Sequence, residues 1–163
     1  MEKTLVQKDE ILIVGLSART CNANEMSHES AKIPLTADKY LAEGLYDKIP
    51  NRKNPGITFG VYTDYESDEH GAYTYLIGEE VTSLEDVPEG LSAIRIPKGK
   101  YQKFTTNPGP MPSIVIDAWK IIWDLSEAEM GGKRSYKADY EYYDYRAQNP
   151  SKTVLDVFIG VDE

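Results

Sequence analysis

Cysteine is nearly absent from this chain. Cys21 stands alone among 163 residues, so no internal disulfide can form, in keeping with a reducing compartment. Histidine is almost as scarce: His28 and His70 both fall in polar segments, where an imidazole is ordinarily just solvated. No set of ligands has usable metal spacing and no glycine-rich phosphate loop occurs, so neither a metal nor a nucleotide cofactor is expected. No apolar run approaches the length that crosses a bilayer. Glu2, Lys3, Lys8, Asp9 and Glu10 break up the first sixteen residues, which excludes the apolar centre of a secretory leader. The expectation is a cytoplasmic chain with no membrane partner. Positive charge is also in deficit. Eighteen Lys and Arg face 27 Asp and Glu, a net charge of -9, and such a surface repels the phosphate backbone of nucleic acid. The same charge gathers cations near the surface, or simply maintains solubility.

What is present is an ordinary globular composition, 40% hydrophobic and 28% charged, of a length that suits one domain over residues 1–163. The chain reads as two versions of one unit, about 1–86 and 90–163, with Val87-Pro88-Glu89-Gly90 as a short joint. The first has a strand-length apolar run, Ile11–Leu16, then a helix over Pro34–Ile49 with Leu41, Leu45 and Ile49 at helical spacing. A hairpin follows, Ile57–Tyr65 and Ala72–Val81, turning at Asp68-Glu69-His70-Gly71. The second has a strand-like Leu91–Thr106 bent at Pro97–Lys100, and an amphipathic helix from Ile114 through about Met130, stopped by Gly131-Gly132. Its hairpin spans Ala138–Arg146 and Thr153–Val161. Tyr62-Thr63-Asp64-Tyr65 answers Tyr142-Tyr143-Asp144-Tyr145, and Leu76-Ile77-Gly78 answers Phe158-Ile159-Gly160. The fold class is therefore α+β: duplicated strand-helix-strand-strand units joined in one antiparallel sheet, with two helices and a central ligand cleft where the halves meet.

Tyrosine is abundant, 12 against 2 Trp and 3 Phe. An aromatic with a polar tip suits a pocket with apolar walls, although tyrosine also fits any half-buried sheet surface. Glu141 is the sharpest feature. It lies inside a strand-like run, Asp139-Tyr140-Glu141-Tyr142-Tyr143, where glutamate is depleted. Alternation puts Glu141 and Tyr143 on one face, Tyr140 and Tyr142 on the other. If the first face lines the cleft, the carboxylate needs a positive partner or a proton. A cationic ligand supplies the charge, and ring faces add about 0.5–2 kcal/mol of cation–π attraction. If that face meets solvent, Glu141 is an ordinary edge-strand residue. The candidate ligand-binding set is Glu141, Tyr143, Trp119, Trp123, Tyr62, Tyr75 and Phe59. Trp119 and Trp123, four apart, share one helical face and could equally be core.

Several blocks resemble a known family. Ile49-Pro50-Asn51-Arg52 with Gly60-Val61-Tyr62-Thr63-Asp64-Tyr65, then Ile96-Pro97-Lys98-Gly99-Lys100-Tyr101, Trp119–Trp123 and Asp139–Asp144 are similar, in order, to the effector-binding domains of AraC-type and MerR-type activators and of gyrase-inhibitory (GyrI-like) proteins. The resemblance covers nearly the whole chain. It is strongest to the stand-alone members, including the kind carried on mobile integron cassettes. It implies the duplicated fold, a cleft between the halves, and a glutamate matched by Glu141 that meets cationic aromatic drugs. Tyr140 replaces a frequent Phe, and the tryptophan common near the start of the first helix is missing.

With no helix-turn-helix visible, the expectation is a small-molecule binder for a lipophilic cation. It would sequester its ligand or signal through a separate DNA-binding regulator or other protein. Two alternatives stand beside it. A buried glutamate among aromatics can act as general base in a hydrolase, and an acidic surface can serve a gyrase-inhibitor type of protein interaction.

Overall fold

The structure, a computed structural model, describes all 163 residues. Along the chain run β1 (Glu2–Lys8), β2 (Ile11–Cys21), α1 (Asn22–Glu25), α2 (Ile33–Ala42), β3 (Thr58–Thr63), β4 (Ala72–Glu80), β5 (Ser92–Ile96), β6 (Gly99–Thr105), α3 (Ser113–Trp123), α4 (Glu127–Met130), β7 (Arg134–Tyr143) and β8 (Asp156–Val161). The eight strands form one antiparallel sheet in the order β1-β6-β8-β7-β3-β4-β2-β5. No helix is long and apolar enough to cross a membrane.

The two halves contribute β2-α2-β3-β4 and β6-α3-β7-β8, and they join through β3 and β7 at the centre. The matching Leu76-Ile77-Gly78 and Phe158-Ile159-Gly160 occupy equivalent strands β4 and β8. In the central pair the correspondence slips by one residue from the one the letters suggest. Tyr62 and Tyr143, not Tyr62 and Tyr142, reach the same side of the sheet.

β1 is a strand the apolar pattern does not announce, because most of its residues are exposed. Its pairing explains the overall shape. Lys8 stands opposite Gly99 and Ile11 opposite Ile96, so one register runs through β1-β2 against β5-β6, three residues forward for three back. Flat, β1 and β2 would lie six strand spacings apart, about 29 Å. The two residues linking them, Asp9-Glu10, reach only about 10 Å. The sheet therefore curls until its ends meet, and β1-β2 and β5-β6 are two long bent strands that close it.

One face of this curled sheet points inward and packs on itself. Ile13, Phe59, Val61, Leu76, Ile96, Tyr101, Tyr140 and Phe158 fill it. Full burial of an aliphatic side chain such as Ile13, Val61 or Leu76 contributes about 1.5–3 kcal/mol each. The outward face carries two further cores. α2 covers Val14, Tyr73, Tyr75 and Ile77 through Tyr40. α3 covers Phe104, Val157 and Ile159 through Trp119 and Ile122. Tyr62 packs against both, at the seam. β2 and β4 approach so closely that a Cβ on Gly15 would lie 2.0 Å from the Ile77 carbonyl oxygen, and one on Gly78 2.1 Å from that of Val14.

Both helices are shorter than their periodicity suggests. The expected Pro34–Ile49 helix ends at Ala42, where Gly44 turns left-handed (φ 59°) and a 3₁₀ turn over Leu45–Lys48 follows. Leu45 and Ile49 stay buried, but Leu41 is exposed because the break rotates it off their stripe. The helix expected through Met130 stops at Trp123. Ser126 and Glu129 then form a capping box that starts α4 afresh. The last hairpin also shifts: β7 begins at Arg134 and ends at Tyr143, and Tyr145–Ala147 is a 3₁₀ turn.

Candidate functional site

Strand alternation sends Glu141 to the outward face of β7, between the two helices. It is 3% exposed. Three neutral groups donate to its carboxylate. Tyr62 Oη (2.6 Å) and Trp119 Nε1 (2.7 Å) bond Oε2, and Tyr143 Oη (2.6 Å) bonds Oε1. Each comes from a different element: Tyr62 from β3, Trp119 from α3, and Tyr143 from Glu141's own strand. Opposite Glu141 across the strand pair stands Gly60. A Cβ there would come 2.9 Å from Glu141 Oε1 and 3.6 Å from the Tyr75 ring, so the missing side chain makes the room that the carboxylate occupies.

Aromatic rings wall the site. Tyr62 lies 5.1 Å from Trp119, 5.4 Å from Tyr75 and 5.7 Å from Tyr73, ring centre to ring centre. Trp123 is 6.2 Å from Trp119 and 38% exposed, at the rim. Of the seven residues read from the sequence, the structure thus gathers Glu141, Tyr143, Trp119, Tyr62 and Tyr75, with Trp123 at the edge. Phe59 is not among them. It points inward, 5.7 Å from Tyr140 and 5.3 Å from Tyr142, because it is one residue from Gly60 and alternation sends it to the other face. Gly60 was missed, although a glycine inside a strand is a signal of close approach. Tyr73, beside Tyr62, stands outside the seven, and only the general abundance of tyrosine points to it.

Burial pushes the Glu141 carboxyl above the usual range, and the bonds from Tyr143, Tyr62 and Trp119 pull it only part of the way back. Burial, then the charge of Glu141, raises the Tyr62, Tyr75 and Tyr143 hydroxyls well above the phenol range. They therefore stay protonated, and Tyr62 and Tyr143 act as donors.

Three other carboxylates are comparably buried, and each has an arginine. Glu79 lies 3.5 Å from Arg52, Asp139 2.7 Å from Arg134, and Asp156 2.7 Å from Arg146. Glu141 alone has no basic partner within the chain.

The duplicated sheet thus carries two main helices, with a buried acid and aromatic rings between them. The sequence pattern of the family described as integron-associated effector binding protein matches residues 4–161, and the chain belongs to that family. YobU of Bacillus subtilis (strain 168), which bears the name of a transcriptional regulator, is 28% identical over 147 residues, 90% of this chain and 89% of YobU. The integron cassette protein VCH_CASS2 from the mobile metagenome of Vibrio cholerae superposes with a TM-score of 0.78 at 28% identity, covering 98% of this chain and 95% of that one. SAV2435, solved bound to tetraphenylphosphonium, has a TM-score of 0.77 at 18% identity and covers 99% and 94%. That last likeness establishes a shared fold.

Proposed function

We propose that this chain binds a lipophilic organic cation between α2 and α3, with Glu141 as its counter-charge and Tyr62, Tyr75, Tyr143, Trp119 and Trp123 as the aromatic surround. One observation carries the reading. Every other buried carboxylate has an arginine, whereas Glu141 is held by three neutral donors. Such a carboxylate is costly in a low-dielectric site, and a cation that arrives with its own charge relieves that cost. The tetraphenylphosphonium held by SAV2435 is a cation of this kind. The bound state would be passed to a separate regulator or would simply hold a toxic compound.

The test is a melting curve of wild type and Glu141→Gln with and without tetraphenylphosphonium. At about 100 times the dissociation constant, ligand adds about 2.7 kcal/mol, or roughly 5–10 °C in Tm for a domain of this size. Glu141→Gln keeps the shape and loses the charge, so the shift should vanish in it. Equal stabilisation by a neutral triaryl compound, or an undiminished shift in Glu141→Gln, would refute a counter-charge role.

A general base is the second reading, favoured by the raised Glu141 carboxyl alone. It requires turnover of a hydrolysable ligand that Glu141→Gln abolishes while binding persists.

A further inference from the structure

Beside Glu141 on the same face of β7, two residues and about 7 Å along the strand, lies Asp139. It is 0% exposed, accepts from Tyr65 Oη (2.6 Å) and the Gly160 amide (2.9 Å), and is bonded by Arg134 Nη2 (2.7 Å). The Arg134 guanidinium rests on the Tyr136 ring, 4.3 Å from its centre. Arg134 is thus held as an organic cation would be held, by a buried carboxylate, a phenol that braces the carboxylate, and an aromatic face. Glu141 has the same surround without the cation. A continuous row of rings joins the two positions: Trp119, Tyr62, Tyr73, Tyr65 and Tyr136, with neighbouring centres 5.1–5.8 Å apart.

Two further features mark Arg134 as an occupant rather than a buried strut. Its grip on Asp139 is single-pronged, with Nε buried and lacking an acceptor. Its side chain also lines a groove of about 240 Å³ with Trp123, Tyr136 and Glu69, so a molecule entering beside Trp123 meets it.

We propose that the cleft accepts one positive charge and rejects two, and that Arg134 sets this selectivity by filling a second cation subsite at Asp139. A monocation seats at Glu141 along the row of rings. The second charge of an elongated dication would fall where the guanidinium already sits, and like charges in a site shielded from water repel strongly. The inference rests on the reading of Glu141 as a ligand counter-charge, but it makes a claim of its own about Asp139.

The experiment measures affinity by calorimetric titration, with Tm in parallel, for tetraphenylphosphonium and for the rigid dication methyl viologen. The proteins are wild type, Arg134→Met, and Arg134→Met combined with Asp139→Asn. Wild type should prefer the monocation. Arg134→Met should gain about tenfold or more in methyl viologen affinity, the scale of one hydrogen-bonded charge pair. The double variant should lose that gain. An unchanged affinity in Arg134→Met would overturn the proposal, as would an equal gain in the double variant, which would mean that the space was merely enlarged.

If Arg134→Met does not fold by itself, refolding in the presence of each cation decides the matter. Recovery with methyl viologen and not with tetraphenylphosphonium supports the subsite, and recovery with neither refutes it. Failure of the two readings is separable. A methyl viologen gain through Asp139, without any tetraphenylphosphonium binding by wild type, would leave the Asp139 subsite standing and remove the role of Glu141. Monocation binding through Glu141 without the gain would do the reverse.

Discussion

At the scale of single residues, the chemistry centres on a carboxylate whose charge costs free energy in the folded state. Burial raises its pKa above the unfolded value, so folding takes up a proton in the window between the two. The cost is absent below the ordinary carboxylate range. It grows as pH rises through that window, and it is fully present above the raised value. Glu141→Gln removes the titration, so the unliganded variant should gain in Tm relative to wild type as pH increases from about 4 to 8. Cation affinity should move the opposite way in wild type, strengthening with pH and levelling off once Glu141 is ionised. A flat affinity profile over the same range would show that Glu141 carries no charge that the ligand senses.

At the scale of elements, the site depends on how near β3 comes to β7. Gly60 lets the Glu141 carboxylate lie over the β3 backbone, and Tyr75 closes in from β4. In Gly60→Ala the new methyl meets the far end of a flexible side chain, so the strand pair survives and the carboxylate moves. We expect a loss of about 1–3 kcal/mol in stability and a tenfold or greater fall in tetraphenylphosphonium affinity, read by thermal denaturation and titration. Gly78→Ala is the contrast. There the methyl meets the Val14 carbonyl 2.1 Å away, backbone against backbone, and the variant should fail to fold. Were Gly60→Ala to bind as wild type does, the placement of the carboxylate would not depend on that close approach.

At the scale of the whole molecule, the sheet is a ring, and the site and the closure lie on opposite sides of it. β3 and β7 meet where the two halves join, while β1-β2 and β5-β6 seal the far side. Removing residues 1–8 strips β6 of one partner and leaves an unpaired edge. The lost ladder of backbone bonds, less the ordering entropy no longer spent, amounts to about 2–4 kcal/mol. The shortened chain should melt several degrees lower and self-associate in size-exclusion chromatography. Its affinity for tetraphenylphosphonium should be unchanged, because no β1 residue touches the site. A parallel loss of affinity would mean that closure and site are coupled through the inner core.

Much of this protein was determined along the chain. Apolar runs of strand length, turn residues and the repeated order of elements specify two like units and hence one sheet with two helices, since period and punctuation are local properties. Glu141 was legible for a related reason: a glutamate among strand aromatics breaks a local rule, and alternation groups it with Tyr143, while which face is covered was left to the tertiary structure. The rest depended on contacts between distant segments. β1 is polar enough to look like a tail, and only its register against β6 makes it the seal of the ring. Phe59 and Tyr62 look interchangeable as candidates, yet the pleat sends one to the inner core and the other to the carboxylate. That Glu141 lacks an arginine while Asp139 has one could not be read from spacing, because Arg134 reaches Asp139 across an irregularity in the β7 register and Tyr65 comes to it from beyond the end of β3. Charge pairing is settled by geometry in three dimensions, and so the tertiary structure alone decided which buried acid was left without an arginine.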